Sequence, residues 1–165
     1  MTATLVEVPW SDARAVALRD AMNVETGAMY AQFMANRTPE QQTATDAALT
    51  VDPATITYTV IALEGETPVG HAALRPVVTG SIAGALEVKK VFVAPSARGT
   101  GLSRRIMADL EAVARERGVT RLVLQTGPLQ VPAIRLYESL GYVRIEPYGK
   151  YGVIEDTLCF RKVLD

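Results

Sequence analysis

Cysteine and histidine are almost missing from this chain, with one of each, Cys159 and His71, in 165 residues. A single cysteine excludes an intrachain disulfide framework, and together with a single histidine it argues against a dedicated Cys/His metal site, so no metal is expected. An excess of charge of either sign is missing too. Seventeen Lys and Arg against eighteen Asp and Glu leave a formal net charge of −1, which gives the chain as a whole no electrostatic reason to bind nucleic acid or an anionic membrane. No apolar run approaches the roughly 20 residues of a membrane span. Glu7 and Asp12 stand where a secretory leader would be basic and then apolar, so a cytoplasmic location is expected. Internal repeats, low-complexity tracts and linkers are absent as well. What remains is 48% hydrophobic content, enough for one well-buried core and short for two, so a single domain over residues 1–165 is expected.

The pattern of elements follows from periodicity and punctuation. Leu5 to Val8 alternates weakly as a strand closed by Pro9, and Ser11 or Asp12 is placed to cap a helix from Ala13 to about Ala35, with a break or bend expected near Thr26-Gly27. Thr38-Pro39-Glu40 reads as cap, first helical residue and acidic first turn of a second helix. Thr55 to Leu63 and Val69 to Arg75, joined at Glu64-Gly65-Glu66, form an antiparallel hairpin, and Leu86 to Val93 is a further strand. A helix over Leu102–Arg117 ends at Gly118, Arg121–Gln125 is a short strand buried on both faces, and Pro132 opens a helix through Leu140. Tyr142–Ile145 and Asp156–Val163 are two last strands, joined through the aromatic loop Pro147-Tyr148-Gly149-Lys150-Tyr151-Gly152.

The stretch richest in chemistry is Val91-Phe92-Val93-Ala94-Pro95-Ser96-Ala97-Arg98-Gly99-Thr100-Gly101-Leu102-Ser103-Arg104-Arg105. An apolar strand stops at a proline, and a basic turn with two glycines runs into a helix. The unpaired amides of a helix's first turn and the positive end of its dipole suit an anion there, and Arg98 adds a planar cationic fork. A P-loop is excluded because Gly101 is followed by Leu102 and Ser103 rather than Lys and Ser or Thr. The dinucleotide fingerprint is excluded because Arg104 stands at its third small position and Gln125 where its acidic residue would be. The turn resembles instead the acyl-CoA pyrophosphate loop of the GNAT superfamily of N-acetyltransferases, Arg/Gln-x-x-Gly-x-Gly/Ala, with Arg98, Gly101 and Ser103 at the motif positions. Ser103 is a small departure. One helix and one strand later, Ala133-Ile134-Arg135-Leu136-Tyr137-Glu138-Ser139-Leu140-Gly141-Tyr142 is similar to the family's second signature, Ala-x-x-Leu-Tyr-x-x-x-Gly-Phe/Tyr. An Asn that often precedes this helix is replaced by Thr126-Gly127-Pro128-Leu129-Gln130. Within the superfamily the chain looks closest to a branch with Leu-Gln/Glu-Thr-Gly before that helix and Pro-Tyr/Phe-Gly-x-Tyr after it.

The resemblance implies an α/β (α+β) fold: a mixed, mostly antiparallel twisted sheet of six or seven strands with helices on both faces. Leu86–Val93 and Arg121–Gln125 would be its one parallel, splayed pair. It implies that acetyl-CoA is the acyl-donor substrate, its pantetheine arm pairing with the backbone of Val91, Phe92 and Val93. Its pyrophosphate would sit on Arg98, Gly99, Thr100, Gly101, Leu102, Ser103 and Arg104. It implies transfer of the acetyl group to a primary amine by direct attack, with Tyr137 as general acid to the leaving thiolate and Glu87 as candidate base, acting directly or through a water.

Each role has a competing reading. Tyr137 lies on an apolar helix face, where a packed tyrosine is ordinary. Glu87 can pair with Lys89 on the same strand face. His71 is an alternative base, a substrate contact or a structural residue, and Cys159 between Leu158 and Phe160 reads as a small core residue. For the acceptor, Tyr30, Phe33, Tyr148 and Tyr151 are expected around a small-molecule or peptide amine, with Arg75 and Lys89 free to hold an acceptor carboxylate. A polycation is disfavoured because clustered acids are missing. A non-catalytic acyl-CoA sensor and an ordinary phosphate-binding domain are the competing functions, and a homodimer is left open.

Overall fold

Prolines, glycines and capping side chains divide the chain into the elements seen in the computed structural model, which describes residues 2–165. They are β1 (Thr4–Glu7), α1 (Ala13–Ala35), α2 (Pro39–Leu49), β2 (Tyr58–Glu64), β3 (Thr67–Pro76), β4 (Leu86–Val93), α3 (Leu102–Glu116), β5 (Arg121–Thr126), α4 (Val131–Ser139), β6 (Val143–Ile145) and β7 (Leu158–Val163). Asp12 caps α1 by accepting from the Arg14 amide at 2.9 Å. Thr38 and Gln41 close a reciprocal capping box on α2, with bonds of 3.1 and 2.9 Å. The break expected in α1 does not occur. The helix runs through Gly27, and the Thr26 hydroxyl donates back to the Met22 carbonyl at 2.9 Å within it. A glycine there costs only about 1 kcal/mol relative to alanine, which packing against the sheet can outweigh.

The seven strands form one sheet in the order β1-β2-β3-β4-β5-β7-β6. Every neighbouring pair is antiparallel except β4 and β5, as α3 requires by returning the chain in the same direction. That parallel ladder holds only Leu86 opposite Leu122 and Glu87 opposite Val123. Beyond it the two strands part.

The parting follows from a bulge on the other side of β4. Against β3 the register shifts between His71, opposite Phe92, and Ala73, opposite Lys89. The extra residue bends the strand, and Lys90 takes a φ of 53°. The bulge also reverses the strand's facing. Leu86 and Val88 before it, and Val91 and Val93 after it, join the larger core with Ile106, Leu110, Leu124 and Phe160. Phe92 packs on the opposite face with Ala15, Leu18 and Ile61. His71 holds the bulge in place. It is fully buried, and because Arg19 can only donate, the 3.0 Å contact from Arg19 Nη1 makes Nε2 the acceptor. Nδ1 therefore carries the hydrogen and donates to the Lys90 carbonyl at 2.8 Å. Burial, with the nearby Arg19 and Lys90 charges, lowers the His71 pKa to about 4.

Candidate functional site

The turn after β4 leaves the first amides of α3 exposed, the geometry an anion cradle would use. Gly99 and Gly101 adopt φ of 75° and 81°, values that favour glycine, and Gly101 is the N-cap of α3 with no side chain capping it. The amides of the first helical turn are therefore open toward the turn. The Thr100 hydroxyl folds back to the Ala97 carbonyl at 2.7 Å and fixes the turn. Arg98 donates from Nε to the Val93 carbonyl at 2.9 Å, and its Nη2 reaches both carboxylate oxygens of Glu25 on α1. Arg104 reaches across to the Ser139 hydroxyl on α4 at 2.7 Å.

A cavity of about 310 Å³ opens over this cradle. Val91–Val93, Arg98, Gly99 and Gly101–Ser103 line it, whereas Thr100 and Arg104 stand outside its lining. A second cavity of about 340 Å³ lies beside it, with Tyr30 and Phe33 of α1 on one wall, the end of β5 on another, and Val88–Val91 beneath. Met22, Thr26, Val91, Gln130 and Tyr137 line both cavities. Tyr137 thus stands where the two spaces meet. Its ring packs on Tyr142 and Phe160 at centroid distances of 5.9 and 6.2 Å. Burial pushes its phenol pKa up, with no charge or hydrogen bond from a described residue contributing. The hydroxyl therefore stays protonated near neutral pH and remains available to donate.

Gly127, in the stretch before α4, has a packing reason. Tyr30 Oη accepts from the Leu129 amide at 3.0 Å, and a Cβ at Gly127 would lie 2.0 Å from that oxygen. Only glycine lets the α1 tyrosine clamp the loop that leads into α4.

Glu87, the candidate base, is engaged in a buried network next to the cavities. Its side chain is buried and lies outside the lining of both cavities. Arg75 Nε donates to one oxygen at 2.5 Å and the Tyr148 hydroxyl to the other at 2.6 Å. Arg75 is therefore engaged and not free for an acceptor carboxylate. Tyr148 and Tyr151 also lie outside the cavity lining and pack on each other over this network. Burial first, and the Glu87 charge second, push both phenols above their usual range. His71 lies under the bulge and outside both linings.

Lys89 does line the second cavity, as does Lys90. Lys89 Nζ donates to Tyr151 Oη at 2.8 Å, and burial pulls its pKa down to about 8. Sequence reasoning gave no role to Lys90, Gln130 or Thr26. The Lys89-Lys90 doublet that breaks the strand's alternation is the one signal that points to the bulge.

Comparison with known proteins bears on the same residues. A family model described as the acetyltransferase (GNAT) family matches residues 18–142. An IAA acetyltransferase of Azospirillum brasilense is 40% identical over 78 residues, 47% of this chain and 51% of its own. The uncharacterised N-acetyltransferase YjgM of Escherichia coli (strain K12) is 37% identical over 89 residues, 54% of this chain and 52% of its own. The matched stretch spans about half the length of these relatives. A crystal structure of a Klebsiella pneumoniae subsp. pneumoniae protein assigned as an acyl-CoA N-acyltransferase superposes with a TM-score of 0.74 at 26% identity, covering 99% of this chain and 98% of that one.

Proposed function

The chain belongs to the acetyltransferase (GNAT) family, and from that premise we propose that it moves the acetyl group of acetyl-CoA to a primary amine of a small molecule or peptide by direct attack. The observation that carries this reading is the meeting of two cavities at Tyr137. One has the geometry for a pyrophosphate and an extended arm, and the other has aromatic walls for an acceptor.

Acetyl-CoA supplies the activated acyl group, and the rest is done by this chain. The open amides at the start of α3 and the Arg98 guanidinium hold the pyrophosphate. The strand edge of Val91–Val93, which the parted β4 and β5 leave without a neighbour, pairs with the pantetheine arm. A primary amine, with a reference pKa of about 10, is mostly protonated at neutral pH. The cations at Lys89 and Lys90 on the cavity floor favour its neutral form by like-charge repulsion. With Glu87 outside the lining, water in the cavity takes the amine's proton, and Glu87 acts as the counter-ion that orders Arg75 and Tyr148. Tyr137 donates its hydrogen bond to the leaving thiolate. Its raised pKa makes it a stabilising donor more than a source of a fully transferred proton.

Calorimetry with CoA and a thiol-release assay with a panel of amines test the proposal. CoA binding should weaken markedly in Arg98→Ala combined with Gly101→Val, and thiol release should require an added amine. Release that is independent of every amine would move the reading to an acyl-CoA sensor. Failure to bind CoA would leave only a phosphate-binding or interaction domain.

A further inference from the structure

The acceptor-side cavity has its charges arranged by depth. On the floor, Lys89 is 7% exposed, and Lys90 is brought in beside it by the bulge at its positive φ. Among the described residues neither ammonium has a carboxylate within 4.0 Å. The acid nearest along the strand, Glu87, is already held by Arg75 at 2.5 Å and Tyr148 at 2.6 Å. At the rim, Arg37 pairs with Glu155 at 3.4 Å, and Asp46 lies exposed on α2.

Of the three protons on the Lys89 ammonium, one is directed to Tyr151 Oη. A cation so far buried, with a single neutral hydrogen-bond partner and the Glu87 charge, itself held by Arg75, only partly compensating it, gains from an anion that arrives with the ligand. Burial lowers its proton affinity, and the Glu87 charge offsets only part of that. Beside these lysines stand the rings of Tyr30 and Phe33, 5.7 Å apart and perpendicular, with Met22 and Met34 completing an apolar wall.

We propose that the acceptor is an amine that also bears a carboxylate and an apolar side chain, its carboxylate held by Lys89 with Lys90 on the cavity floor. This rests on the acetyl-transfer reading and narrows it to amino acids and their close relatives. A lone ammonium pair, with Arg37 and Arg75 both engaged, fits a carboxylate better than a phosphate, which is favoured by free guanidinium forks or helix N-termini. A polyamine or aminosugar would bring cations onto a cationic floor.

Binding of N-acetylated products to the CoA-saturated protein tests the inference without depending on turnover. N-acetyl-L-phenylalanine, its primary amide and N-acetylphenethylamine share the ring and differ in the anion. By calorimetry the carboxylate form should bind on the order of ten- to a hundredfold tighter than either neutral form, the size of a charge-assisted hydrogen bond. Lys89→Met, which keeps the apolar stem, should erase that preference while leaving CoA affinity unchanged, and Lys89→Arg should retain part of it. Equal affinity for the three ligands, absence of binding by all of them, or an undiminished preference in a Lys89→Met protein that still binds CoA would each overturn the inference. Should Lys89→Met lose CoA binding, Lys90→Met in its place should weaken the preference, and an unchanged preference there would count against it. Carboxylate-dependent binding without acetyl transfer to any amine would sink the enzymatic reading and leave this one standing. Amine-dependent transfer with no carboxylate preference would do the reverse.

Discussion

Arg98 on the turn between β4 and α3 holds Glu25 on α1 by both carboxylate oxygens, at 2.9 and 2.8 Å. The two residues line the same cavity, so under the proposed binding mode Glu25 occupies the fork offered to the pyrophosphate. Both side chains are partly exposed, at 47% and 38%, and pairs of that kind are worth about 0.2–1 kcal/mol. Glu25→Gln is therefore expected to tighten CoA binding by no more than about fivefold, and the gain should shrink when salt is raised to about 0.5 M. Calorimetry at two salt concentrations checks both. Weaker binding in Glu25→Gln would mean that the carboxylate helps to shape the site instead of competing for it.

Tyr137→Phe keeps the ring that packs on Tyr142 and Phe160 and removes the donor at the junction. CoA affinity and melting temperature should stay near wild type, while kcat falls at least tenfold and up to the roughly 10²- to 10⁴-fold that acid catalysis or a lost oxyanion-type donor is worth. Steady-state kinetics on a competent amine reads this directly. Wild-type turnover would make Tyr137 a packing residue.

Glu87→Gln separates a base from a counter-ion. A missing base would show as a rate defect relieved at high pH. The buried pair with Arg75 predicts something else, a loss of stability on the order of 3 kcal/mol because Arg75 loses its partner, with no relief as pH rises. Denaturant melts and a pH–rate profile on the same variant distinguish the two.

His71 makes stability depend on pH in a defined window. Its folded pKa, about 4, lies below the reference of about 6.5, so between these values the unfolded chain binds more protons than the folded one. Its contribution is complete above pH 6.5 and is lost as pH falls toward 4, at a rate of up to about 1.4 kcal/mol per unit. His71→Gln should be less stable at pH 7 and show a flatter decline over that window. An unchanged slope would mean that other groups set the acid limb.

Gly127→Ala drives a methyl into Tyr30 Oη, at 2.0 Å, and the ring must leave the Leu129 amide. The expected cost is about 1–3 kcal/mol of stability, together with a raised KM for the acceptor and an unchanged Kd for CoA. In a Tyr30→Leu background the same substitution should cost much less, and an equal cost would show that the clash is not the cause.

The elements of this protein are written in its local sequence. Pro95, Gly99 and Gly101 fix where β4 ends and α3 begins, because a missing amide and positive φ values act within a few residues. The 3.6-residue spacing of Ile106, Leu110 and Ala114 marks the face of α3 that is buried. The parallel pairing of β4 with β5 follows from the crossover helix between them. The glycine turn into α3 and the helix that carries Tyr137 were legible for the same reason, since each lies in one continuous stretch. The cavity walled by Tyr30 and Phe33 was not legible, because it depends on contacts between residues distant in the chain. Alternation alone would keep Val91 and Val93 on the face of Glu87 and Lys89. It is the Lys90 bulge, pinned by His71 and Arg19 from two other elements, that turns them to the opposite side and adds a second lysine to the cavity floor. Glu87 has the residue type of a base, but whether a carboxylate is free or paired is decided by its neighbours in space. Here Arg75 from β3 and Tyr148 from the β6–β7 connection decide it.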